Sequence, residues 1–279
     1  MNRSAKPALI CIGCGYLGSV VVRQAEKFYS SIAALVATER ARPALQELKV
    51  ELHVGNVFAQ SRTLGTLTTR TAFDLLFMLP PSAIPEAAGE FSQLLSNIDR
   101  SGLRRALLIS STGVYTVKEG EQVSAETPIE KGSARAERLF GIENSWRATG
   151  DEFSVLRLAG IYGPDRVIGR TQLSEGKPIG GSPEAWLNLM HVEDCAALAL
   201  TCLHGRPNGV ELGADGNPAR RGEYYQFIAD TFGFTDPLFS GDAIRNVTSK
   251  KCDPRSTFSR LSFTPKYSDY KTGVLASVS

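Results

Sequence analysis

No apolar run in this 279-residue sequence approaches the roughly 20 residues that a membrane-spanning helix needs; runs such as 75–79 stop far short. A transmembrane span is therefore not expected. Nor is there a surplus of one charge: 31 Lys and Arg face 29 Asp and Glu, for a formal net charge of +2. Duplex-binding proteins gather lysine and arginine into a block or stripe, and none is present, so nucleic acid is not an expected partner. Cysteine is sparse and odd in number, five in all, which argues against a disulfide framework. Cys11 and Cys14 form a C-x-x-C, but no second ligand pair accompanies them. Two small residues lining a tight turn account for that spacing, and no metal is expected. Arg3 and Lys6 precede an apolar stretch without a signal-peptide cleavage pattern, so a cytoplasmic location is expected. Internal repeats and low-complexity tracts are absent as well. What is present is 42% hydrophobic residues, enough for a real core in one large α/β domain or two unequal lobes.

The most informative stretch is Ala8-Leu-Ile-Cys-Ile-Gly-Cys-Gly-Tyr-Leu-Gly18. The run 8–12 reads as a buried strand; Gly13, Gly15 and Gly18 follow in G-x-G-x-x-G spacing, and then a helical apolar pattern at Leu17, Val20, Val21, Ala25 and Phe28. A dinucleotide needs each glycine for a different reason. One makes a turn with unusual dihedrals, one lets the backbone approach a pyrophosphate, and one lets helix pack on strand. Free N–H groups at the helix start then face the phosphates. A second strand over 32–37 completes a β-α-β unit and ends at Thr38-Glu39-Arg40-Ala41-Arg42. That strand end is where such folds read the adenosine ribose, by an acid for a 2′-hydroxyl or an arginine for a 2′-phosphate. Glu39 suits NAD; Thr38 with Arg40 and Arg42 suits a phosphate better, so NADP is expected, with NAD the alternative.

The rhythm continues with a third strand at Val50, Leu52 and Val54, ending at Gly55-Asn56-Val57, and a fourth over 74–79, stopped by Pro80-Pro81. A helix patterned by Ala87, Phe91, Leu94, Leu95 and Ile98 leads to a fifth strand over 106–109. Short alternation of strand and helix predicts a doubly wound parallel α/β sheet of Rossmann type, with its ligand at the carboxyl ends of the strands. The expected cofactor residues are Gly13, Gly15, Tyr16, Leu17 and Gly18 in the first turn, Thr38 and Arg40 after the second strand, and Asn56 and Val57 after the third. Leu79 and Pro80 after the fourth and Ser110 after the fifth complete them. The Rossmann domain is expected over 1–164, rejoined by a helix and strand near 191–213. A smaller C-terminal substrate lobe is expected from 165–190 and 214–279, where regular alternation fails. Arg166, Arg170, Lys177, Lys250 and Lys251 in that lobe are candidates for holding a substrate diphosphate.

Downstream motifs carry a resemblance. Ser110-Ser-Thr-Gly-Val-Tyr115, then Leu156-Arg-Leu-Ala-Gly-Ile-Tyr-Gly-Pro164, then His191-Val-Glu-Asp-Cys-Ala196 follow the glycine turn in order. The chain resembles the extended and atypical short-chain dehydrogenases/reductases, the NAD-dependent epimerase/dehydratase or nucleoside-diphosphate-sugar epimerase group. Arg221-Gly-Glu-Tyr-Tyr, Lys250-Lys251 and 265–273 look like that family's C-terminal pattern, so the resemblance covers nearly the whole chain.

The resemblance implies a tyrosine and lysine four apart on one helix face, beside a strand-five serine, exchanging a proton while hydride moves to or from a nicotinamide. Here Glu137 matches the acid that follows the pair, which puts Ile129 and Ser133 where the tyrosine and lysine belong. Neither performs that chemistry. Ser111 stands at the serine position, and Thr112, Tyr115 and Tyr162 complete the candidate catalytic set. Tyr115 and Lys118 are three apart, and Tyr267 with Lys271 reads as a coincidental Y-x-x-x-K. His191 reads as a structural histidine at a helix start. The resulting expectation is an NADP(H)-dependent oxidoreductase or epimerase acting on a small carbonyl, imine or nucleotide sugar. The alternatives are a non-catalytic NAD(P)-binding sensor or scaffold, and a lyase or isomerase on the same fold. A homodimer through 86–101 and 133–147 is expected by analogy with related proteins.

Overall fold

A computed structural model describes residues 6–59, 61–85, 89–117, 120–205, 209–240 and 249–278. In chain order the elements begin with β1 (Ala8–Ile12), α1 (Tyr16–Ala25), β2 (Ser31–Val36), α2 (Arg42–Leu45), β3 (Val50–Val54), α3 (Ser61–Leu67) and β4 (Phe73–Phe77). Next come α4 (Glu90–Ser96), β5 (Leu103–Ser111), β6 (Gln122–Val123), α5 (Ala134–Arg147), β7 (Phe153–Leu158), β8 (Gly160–Tyr162), α6 (Arg170–Ser174), β9 (Trp186–Leu187) and β10 (Leu189–His191). The chain ends with α7 (Val192–Gly205), β11 (Val210–Gly213), β12 (Ala219–Arg220), α8 (Arg221–Phe232), β13 (Lys251–Cys252), α9 (Arg255–Leu261) and α10 (Tyr270–Val278).

Seven strands form one sheet in the order β11-β7-β5-β4-β1-β2-β3, and the ladders β3–β2, β2–β1, β1–β4 and β4–β5 are all parallel. Helices cover both faces of such a sheet, so its inner strands bury every residue. Accordingly Ala8–Ile12 and Phe73–Phe77 are buried throughout, and Ile10 stands between Ala33 and Leu75 in register. The chain reverses direction across the sheet between β1 and β4, so the crevice at their carboxyl ends is the switch point where α/β sheets bind ligands.

The chain divides into two compact units: Met1–Ser111 with Glu137–Arg157 and Ala196–Glu211, and Thr112–Ala136 with Leu158–Cys195 and Leu212–Ser279. Residues 112–136 and 158–164, expected with the Rossmann domain, thus group with the C-terminal segments. The first unit is centred on Trp146, whose ring lies 5.5 Å from Phe77 and 4.9 Å from Phe153 and whose indole N–H donates to the Ser154 carbonyl at 2.8 Å. Rings of Tyr162, Tyr224, Tyr225 and Tyr270 line the core of the second, with Ile228 and Val274.

Two elements differ from the sequence reading. The helix expected over 86–101 is Glu90–Ser96, its first anchor Ala87 lying outside the described residues. The fifth strand runs Leu103–Ser111, because β4 pairs as far back as Leu103 and backbone pairing tolerates Arg104 and Arg105, which hydropathy alone discounts. No helix among the described residues is long and apolar enough to cross a membrane.

Candidate functional site

The turn after β1 meets the three glycine requirements one by one. Gly13 has φ +84°, and a Cβ there would lie 2.9 Å from both Cδ2 and the main-chain N of Leu79. A Cβ on Gly18 would stand 3.0 Å from the Cys14 sulfur and 3.1 Å from Cε of Met78, so this glycine sets the closeness of helix to strand. Gly15 is different: it is exposed, and nothing lies within 4 Å of where its Cβ would be. It caps α1 without any side-chain hydrogen bond, and the first helical turn carries no acidic residue. The first turn of a helix leaves backbone N–H groups without an acceptor inside the helix, and at α1 open space stands over Gly15 at the positive end of the helix dipole. That arrangement fits a diphosphate. Cys14 packs its thiol against Gly18 and burial pushes its pKa up to about 12, the behaviour of a small apolar residue rather than a redox group. Among the described residues no group of three or more His, Cys, Asp or Glu side chains is arranged to hold a metal.

Along the other strand ends, the expected cofactor residues divide. Thr38 is extended and exposed, and Arg40 is exposed with no ion-pair partner among the described residues. Arg42 is not available in the same way, since its Nε binds Glu39 Oε2 at 2.5 Å and its Nη2 binds Oε1 at 3.1 Å. This hydrogen bond holds the Glu39 carboxyl below its usual range. The acid that would take a ribose hydroxyl is therefore engaged, and the arginine two residues before Arg42 is the one left open. Asn56 turns its amide oxygen to the N–H of Phe58 at 2.9 Å, closing its own turn, while Val57 is buried. Leu79 packs over Gly13, and Pro80 is exposed and precedes a 3₁₀ turn. Ser110 does not offer its hydroxyl outward: Oγ donates to Glu143 Oε1 at 2.5 Å.

The candidate catalytic residues are mostly claimed by packing. Ser111 ends β5 half-buried, and Thr112 is buried with its hydroxyl bonded to the Cys252 thiol. Tyr115 is 1% exposed and donates to the Ser124 carbonyl at 2.7 Å. Tyr162 is fully buried and donates to the Asp269 carbonyl at 3.2 Å, with burial raising its pKa further from use. A hydroxyl that already donates to a fixed main-chain carbonyl has no proton to offer a substrate without breaking that bond. His191 is likewise settled: its Nδ1 accepts from the Glu193 N–H and its Nε2 lies 3.2 Å from Ser277 Oγ. Burial pushes its pKa down to about 4, so it is a neutral structural histidine, as the sequence implies.

Ser133, at the family's lysine position, accepts from the Ala136 N–H at 3.3 Å and so caps α5. Tyr267 tilts against His191 with ring centroids 4.0 Å apart, while Lys271 is exposed with its ammonium 6.0 Å from the Tyr270 ring centre. Lys118 lies outside the described residues. The basic residues of the second unit do not form one cluster. Arg170 stacks on Phe232, Lys177 pairs with Glu175 at 2.7 Å, and Lys251 lies over Trp186 together with Arg220. Lys250 is buried and donates to the Tyr115 carbonyl at 3.2 Å, with burial lowering its pKa.

Sequence reasoning missed Glu143 and Arg157. Arg157 Nη2 meets Glu143 Oε2 at 2.6 Å, and both side chains are almost wholly buried. The signal was an arginine inside the wholly buried strand Phe153–Leu158, since a charge there requires a buried partner.

No protein-family model matches the chain. Protein YeeZ of Escherichia coli K12 is 29% identical over 172 residues, a segment that covers 59% of this chain and 59% of YeeZ. Among solved structures, a dTDP-glucose 4,6-dehydratase from Bacillus anthracis in complex with NAD superposes with a TM-score of 0.81 at 16% identity, covering 98% of this chain and 95% of that one. A UDP-glucose 4-epimerase from Thermotoga maritima with UDP-glucose gives 0.80 at 16% identity, covering 97% of each chain. This protein has the fold of the NAD-dependent epimerases and dehydratases.

Proposed function

We propose that this protein binds NADP(H) at the Gly13–Gly18 turn and acts as an oxidoreductase or epimerase of the atypical short-chain dehydrogenase/reductase type on a small carbonyl, imine or nucleotide sugar. The contrast between Gly13 and Gly15 carries the reading. The first is a glycine because protein surrounds it, and the second is exposed, with nothing of the protein near its missing side chain. Open space above the first turn of a helix at a switch point is what a pyrophosphate requires. Support for the cofactor class comes from the NAD in the dehydratase, and for the substrate class from the UDP-glucose in the epimerase. Arg40 and Thr38 favour the phosphorylated cofactor. Ser111 is the hydrogen-bond donor to the reacting group in this reading.

The test is Gly15→Val, whose Cβ falls where nothing lies within 4 Å. The variant is expected to keep the wild-type melting temperature and to lose at least tenfold in affinity for NADPH by fluorescence titration. Unchanged affinity overturns the reading.

A second reading, a dinucleotide-binding sensor without hydride transfer, is favoured by the engaged hydroxyls of Tyr115 and Tyr162 and by Ser133 serving as a cap. Following NADPH absorbance with a panel of ketones and imines, and epimer formation from nucleotide sugars by chromatography because an epimerase regenerates its cofactor, separates the two. Tight binding without turnover on any of them selects the sensor.

A further inference from the structure

Ser110, Glu143 and Arg157 form a buried network that the sequence motifs do not account for. The Glu143 carboxylate receives the Arg157 Nε at 3.1 Å on each oxygen and Nη2 at 2.6 Å on Oε2, and Ser110 Oγ donates to its Oε1 at 2.5 Å. Glu143 is 1% exposed and Arg157 3%. The three residues come from α5, β7 and the penultimate position of β5, so the network ties the end of the fifth strand to a helix and to another strand of the sheet.

A buried ion pair of this kind adds little net stability over well-packed apolar residues, because taking both charges out of water nearly offsets their attraction. What it supplies is direction. Charged hydrogen-bonding groups accept only one geometry, and the third member here is a hydroxyl at the carboxyl end of β5. Side chains alternate across a strand, so holding Ser110 toward α5 sends Ser111 to the opposite face. With the adenosine half of a dinucleotide on the β1–β2 side of the switch point, the nicotinamide half falls on the side of β4 and β5.

We propose that Glu143 and Arg157 are positioning residues that act through Ser110 to hold the end of β5 against the nicotinamide half of the bound dinucleotide. This rests on the NADP(H) reading above. Ser110→Ala removes only the hydroxyl and leaves the Glu143–Arg157 pair intact, so the variant folds.

The experiment titrates wild type and Ser110→Ala with NADPH and with adenosine 2′,5′-bisphosphate, which carries the adenosine half alone. Ser110→Ala is expected to weaken NADPH at least fivefold while leaving adenosine 2′,5′-bisphosphate within twofold of wild type. Ser110→Thr, which retains the hydroxyl, is expected to restore NADPH affinity. Equal weakening of both ligands makes the network merely structural and overturns the proposal, as does no weakening of either. Failure of wild type to bind NADPH at all is a separate outcome, which removes the cofactor reading and overturns this proposal with it.

Discussion

The turn after β1 and the segment from Thr112 to Tyr115 with Tyr162 both look functional in the sequence, yet their polar and small residues meet opposite fates. At the turn, Gly15 faces open space, and beyond the end of β2 Arg40 is exposed without an ion-pair partner among the described residues. In the second unit, Tyr115, Tyr162 and His191 have their hydrogen bonds completed by the protein itself. The comparison teaches that a polar residue type marks chemistry only where burial has not already committed it, since a buried donor left unpaired is more costly than one left in water.

The largest effect that would break this comparison is at Gly13. Replacement by alanine combines a disfavoured positive φ with a contact at 2.9 Å, and is expected to destabilise the protein by about 4 kcal/mol in urea denaturation. A near-neutral Gly13→Ala would mean that the turn is looser than its geometry shows.

Next is Asp215, which is 6% exposed and whose Oδ2 has no hydrogen-bond partner among the described residues. Burial, then the nearby Asp269 and Asp194, push its pKa up to about 7. The folded protein keeps this proton while the unfolded chain releases it near pH 4. The contribution to stability is therefore complete below that pH and is lost as pH rises through about 7. Asp215→Asn is expected to remove this slope, gaining about 3 kcal/mol over wild type between pH 5 and 8 in denaturation series. A parallel pH dependence in both proteins would show that Asp215 titrates normally.

Smaller effects sharpen the comparison. Arg40→Ala is expected to weaken NADPH about tenfold, the worth of one charge-assisted contact, and to leave NADH unchanged. Equal loss for both cofactors would remove the 2′-phosphate assignment. Tyr162→Phe gives up one hydrogen bond and is expected to lower stability by about 1 kcal/mol without changing turnover of any substrate found. A loss of a hundredfold in kcat would return Tyr162 to the catalytic set.

Much of the first unit was legible because parallel strands covered on both faces write themselves as apolar runs: Ala8–Ile12, Ser31–Val36 and Phe73–Phe77 lie where periodicity puts them, to within a residue or two. The glycine turn was legible too, since backbone conformation and close approach restrict residue type directly. The second unit resisted the same method. Its strands β6, β9, β12 and β13 span two residues each, too short to show a period. Whether a tyrosine there is a catalyst or a wall depends on carbonyls far along the chain, such as that of Asp269 for Tyr162.

By itself the sequence determined the alternation of strand and helix and the three glycines of the first turn, because these depend on local sterics and on periods of two and 3.6 residues. Only the tertiary structure decided which side chains remain available. The commitment of Ser110 to Glu143 and Arg157, and of Tyr115 to Ser124, is made by neighbours that folding brings within hydrogen-bond reach. Most of these lie far enough along the chain that local spacing carries no trace of the pairing.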